Sequence, residues 1–136
     1  MKEYTINTAQ YFSLLFFVLS FLCLADFVHG TDHIIESNIT FYLIHLITGM
    51  GFLVFSRLGT ETSIYFIRSV GLAYLLISLI GFQVFQEAFL QTNSQWSHVF
   101  YLNLMNYLHF VLGIILSFSG TILNNRRRQI AITGYG

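Results

Sequence analysis

Apolar residues fall into four long stretches, approximately 11–28, 39–56, 64–85 and 99–123, with charge gathered mainly between them and at the two ends. Each is close to the ~20 residues that a helix needs to cross a bilayer core of ~30 Å. The pattern predicts an all-α fold: an integral membrane four-helix bundle, with four spans separated by short connections. Small and hydrogen-bonding residues recur inside the stretches at helical spacing. Gly71, Ser78 and Gly81 line the third, and Asn103, Asn106, Gly113, Ser117 and Gly120 line the fourth. Membrane helices associate through such residues, because apolar side chains gain little by leaving lipid. Together with Gly49 of the second stretch, these are the expected helix-packing positions, and phenylalanine and leucine are expected to face lipid.

The stretches are related in pairs. Tyr42 to Gly49 reads YLIHLITG, and Asn106 to Gly113 reads NYLHFVLG, so a histidine precedes a glycine by four residues in both. An offset of 64 positions places His45 on His109, Gly49 on Gly113 and Ser56 on Gly120. An offset of 58 places Ser13 on Gly71, Ser20 on Ser78 and Cys23 on Gly81. The architecture therefore reads as two pseudo-repeated helical hairpins. Each hairpin crosses twice, so both keep the same orientation about an axis along the membrane normal.

Composition agrees. The chain is 55% hydrophobic and 9% charged, lacks proline and has a mean hydropathy of +0.68. A soluble domain carries charge on roughly a quarter of its residues. Its 136 residues are expected to form one domain, with 124–136 as a cytoplasmic tail whose last residues are loose. The single cysteine, Cys23, excludes an intrachain disulfide. No small-x-small cleavage site follows the first stretch, so that stretch is expected to be retained rather than removed as a signal peptide.

Charge orients the bundle. Lysine and arginine occur only at Lys2, Arg57, Arg68 and Arg126–Arg128. These fall on one side if both termini share it, and short basic loops stay cytoplasmic, so both termini are expected there. The three consecutive arginines would also meet anionic headgroups. The other side carries Asp26, His29, Asp32, His33, Glu36, Glu87 and His98. These residues either solvate the loops or offer carboxylate and imidazole to a metal ion. Asp26, His29 and His33 are spaced by three and four residues, so they would share a helix face, although Gly30 interrupts it.

His45 and His109 are the candidate site, because an ionisable residue within a membrane span defaults to a functional hypothesis. Three readings stand. Each imidazole can be helix–helix glue, bonded to Asn106, Asn103, Tyr42, Tyr107 or Asp26. The pair can be the axial ligands of one haem b in an electron-transfer protein, with the glycines making room for the macrocycle. Alternatively, the pair and the acidic face can serve metal-ion or proton transport. Hydrolytic and nucleotide chemistry lack their motifs: G-x-S-x-G, H-E-x-x-H, a P-loop and a dinucleotide fingerprint are all missing.

The segment Arg68 to Phe82, RSVGLAYLLISLIGF, resembles the characteristic span of a bacterial four-helix family known as domain of unknown function 4383. The histidine–leucine segment with Gly49 and the Asn106-x-x-His109-x-x-x-Gly113 segment are similar to that family too. The first stretch departs from it, with serines and phenylalanines where a glycine-rich run is expected. The resemblance implies a four-span protein of a bacterial inner membrane and supplies no activity. The expectation for function is a non-enzymatic membrane component without a cofactor. Its partners would be the lipid bilayer and either further copies of itself or the subunits of a larger membrane complex, and not nucleic acid.

Overall fold

Helix continues beyond each apolar stretch that announces it. The computed structural model describes residues 2–29, 39–91 and 96–134, with side chains described except at 26–29, 39–41, 83–91, 96–105 and 133. Four helices account for nearly all of these residues: α1 (Lys2–His29), α2 (Ile39–Leu58), α3 (Thr60–Gln91) and α4 (Trp96–Thr133). No proline interrupts them. Glu3 and Glu61 lie in the first turns of α1 and α3, and Arg57 in the last turn of α2, where each complements the helix dipole. Of the expected loose tail, 129–136, residues 129–133 belong to α4 and 135–136 lie outside the described residues. Gly134, at φ 67°, closes that helix with its amide 3.0 Å from the Ile130 carbonyl.

One residue joins α2 to α3. Gly59 has φ 131°, a conformation that only glycine adopts without strain. Its carbonyl accepts the Ser63 amide at 3.1 Å and starts the α3 ladder. The Ser63 hydroxyl lies 2.7 Å from the same carbonyl and 3.0 Å from that of Phe55, tying the two helix ends together.

α1 packs chiefly along α2 and α3 along α4, so the chain is two hairpins joined at Gly59. The hairpins meet through α2 and α3 and, less extensively, through α1 and α3. Phe66 of α3 seats on Gly51 of α2, stacked 4.3 Å from Phe55 and edge-on to Phe52 at 4.9 Å.

Burial repeats at the offsets found in the sequence. Thr5, Ala9, Ser13, Phe16 and Ser20 are buried in α1, and so are Ser63, Ile67, Gly71, Tyr74 and Ser78, 58 residues later in α3. His45, Gly49, Phe52 and Ser56 are buried in α2, and so are His109, Gly113, Leu116 and Gly120, 64 residues later in α4.

Large apolar side chains cover much of the outside, among them Leu14, Phe21, Leu72, Leu79, Val111 and Phe118. Three helices contain segments long and apolar enough to cross a membrane: Lys2–Ala25, Thr60–Phe82 and Asn106–Ile132. Tyr42–Leu58 of α2 is a shorter apolar segment. Cationic residues from three helices gather at one end. Arg126 lies over the Tyr4 ring, 5.6 Å from its centroid, and Arg127 pairs with Glu61 at 3.0 Å.

Candidate functional site

His45 and His109 are each only 3% exposed, on helices whose outer faces are apolar. They stand at different distances from the starts of α2 and α4, yet their rings meet, with centroids 5.7 Å apart and planes tilted by 45°. Phe16 of α1 and Tyr74 of α3 complete a buried four-ring cluster. Phe16 is 5.8 Å from His45 and 5.4 Å from Tyr74, while Tyr74 is 5.2 Å from His109 and 6.0 Å from His45. An offset of 58 converts Phe16 into Tyr74, so Phe16–His45 and Tyr74–His109 are the same contact made once in each hairpin.

The hydroxyl breaks this symmetry. Tyr74 Oη lies 2.9 Å from His45 Nδ1, a buried hydrogen bond that runs from one hairpin to the other. A neutral imidazole has one donor and one acceptor nitrogen. When Tyr74 donates to Nδ1, the His45 proton sits on Nε2. Phe16 has no hydroxyl with which to make the corresponding bond in the other direction.

Tyr74 was not among the partners expected from the sequence. Of those that were, Asn106 packs against Gly81, the Tyr42 carbonyl lies 3.3 Å from the Ser20 hydroxyl, and exposed Tyr107 meets Phe82 edge-on at 5.0 Å. Asn103 and Asp26 fall outside the described side chains. A tyrosine within an apolar stretch reads as core, and only the Phe16-to-Tyr74 correspondence would have placed it beside a histidine.

The glycines one turn beyond the histidines are closed over. A Cβ on Gly113 would lie 2.7 Å from Leu75 Cγ, 2.8 Å from the Leu75 amide nitrogen and 3.0 Å from the Gly71 carbonyl. One on Gly49 would lie 3.2 Å from Phe17 Cδ1 and 3.3 Å from the Ser13 carbonyl. Phe17 and Ser13 stand 58 residues before Leu75 and Gly71, so the two glycines meet matching positions of their partner helices, more closely at Gly113. Where α3 has Gly71, packed on the Ser117 backbone, α1 has Ser13, whose hydroxyl donates to the Gly49 carbonyl at 2.8 Å. Gly120 takes the Arg68 stem, and the Ser78 hydroxyl returns to the Leu75 carbonyl of its own helix at 2.9 Å.

No family model, curated protein or solved structure matches the chain. The site is therefore read from its own geometry. A haem between His45 and His109 does not fit this packing. Tyr74 bonds one candidate ligand and lies edge-on to the other, and the surfaces of Gly49 and Gly113 are occupied by Phe17 and Leu75. A macrocycle there would require α2 and α4 to part and Tyr74 to leave. For the metal candidates, α1 carries Asp26 and His29 in its last turn, but their side chains and the whole of His33 lie outside the described residues. Among the described residues, no group of three or more His, Cys, Asp or Glu is placed to hold a metal ion.

Proposed function

We propose that the chain is a non-enzymatic integral membrane protein of four spans, with both termini cytoplasmic, which acts by associating with itself or with other membrane subunits. One observation carries this reading. Among the described residues, His45, His109 and Ser13 are turned inward and engaged in helix packing, while the outer faces of the apolar segments carry large apolar side chains. His45 is bonded to Tyr74, His109 lies within the ring cluster, and buried Ser13 bonds a neighbouring helix. A polar core with an apolar exterior suits lipid as solvent. The 20 residues of α2 extend about 30 Å at about 1.5 Å per residue, enough for the fourth span. Lys2, Arg57 and the basic end of α4 support the cytoplasmic assignment. The resemblance to domain of unknown function 4383 joins this proposal, and a bacterial inner membrane is the location proposed with it.

The test is to express the full chain, extract membranes with alkaline carbonate, and purify the retained protein in mild detergent. Retention, followed by a mass above that of one chain or a stoichiometric membrane partner, is the expected result. Release by carbonate would refute the membrane reading. A lone, stable monomer would refute association.

A further inference from the structure

We propose that Arg68, laid along the α3–α4 groove, holds the phosphate of an anionic phospholipid. Arg68 is exposed on the membrane-length segment Thr60–Phe82. Eight residues separate it from Thr60, so its Cα lies about 12 Å along the helix from the start of α3. Its stem crosses α4 at Gly120, where the Arg68 backbone nitrogen would be 3.2 Å from a glycine Cβ. The stem thus starts in the groove between the two helices, and the side chain is exposed. Glu61 lies two turns back on α3, but it is already paired with Arg127 at 3.0 Å. Among the described residues, no carboxylate pairs with Arg68. A cation in this position needs an anion, and long basic side chains reach back to the headgroup level to find one. Guanidinium matches phosphate with two parallel hydrogen bonds. Exposed Tyr65 lies one turn toward the helix start and half-buried Asn124 one turn beyond Gly120.

The inference rests on the membrane reading, which alkaline extraction scores separately before any lipid is added. The full chain in nonionic detergent is then titrated with phosphatidylglycerol, phosphatidylcholine or inorganic phosphate, and bound lipid is counted by native mass spectrometry. Wild type is expected to retain phosphatidylglycerol in preference to phosphatidylcholine. Arg68→Gln should weaken that retention about ten-fold, the equivalent of the ~1.5 kcal/mol of a hydrogen bond to a charged group. Arg57→Gln removes the same charge from another helix and should leave retention unchanged. Arg68→Lys keeps the charge without the planar fork; it should fall between, and it carries the comparison if Arg68→Gln fails to fold. Equal loss in Arg57→Gln, equal retention of both lipids, or displacement of phosphatidylglycerol by inorganic phosphate would each overturn the assignment.

Discussion

One phenol oxygen separates Tyr74 from Phe16, its counterpart in the first hairpin, and that oxygen bonds His45 across the hairpin boundary. Tyr74→Phe should therefore preserve the fold, because a phenyl ring already serves at Phe16, and cost about 0.6–2 kcal/mol. Denaturation of the detergent-solubilised chain measures this. A double-mutant cycle with His45→Ala should show coupling between the two sites, and additive losses would exclude the bond. The glycines allow a graded comparison. Gly113→Ala meets the Leu75 amide nitrogen at 2.8 Å, which is backbone that yields little, whereas Gly49→Ala meets Phe17 and the Ser13 carbonyl at 3.2–3.3 Å. Gly113→Ala should cost more, within the ~1–3 kcal/mol typical of overpacking. Equal melting temperatures for the two variants would contradict the closer α3–α4 crossing. His45, His109 and both glycines were legible in the sequence as a spacing. Their partner was not, because a tyrosine hydroxyl within an apolar run carries no periodic signal.

Between the elements, the connection at Gly59 is the point where a side chain would be strained. With φ at 131°, Gly59→Ala forces a side chain into a conformation that costs on the order of 1–3 kcal/mol. Gly134→Ala, at φ 67° beside the C-terminus with open space around it, should cost less when both are followed by thermal unfolding. The existence of four helices was readable from hydrophobic runs, but their ends were not. Residues 2–10 and 124–133, which mix polar with apolar side chains, are helical beyond the apolar runs, because a helix already nucleated propagates at little cost.

At the scale of the molecule, two offsets were readable in the sequence, and the same offsets relate buried positions of the paired helices. The sequence could not show which surfaces the hairpins use to meet, since that depends on Phe66 seating on Gly51 and on the Tyr74–His45 bond. The hairpins can be tested as separate chains. Residues 1–58 and 60–136, co-expressed with different tags, should copurify, and Tyr74→Phe in the second should reduce the yield of the pair. Complete failure to copurify would count against an interface that forms without the link. The single residue Gly59 bears on how strong that interface must be. A tether this short keeps one hairpin beside the other at an effective concentration in the millimolar range or above. Two surfaces held that close stay together even when their intrinsic affinity is low. Proximity thus does work that contacts would otherwise have to do, and a neighbouring chain competing for either surface starts at a disadvantage set by its own dilution.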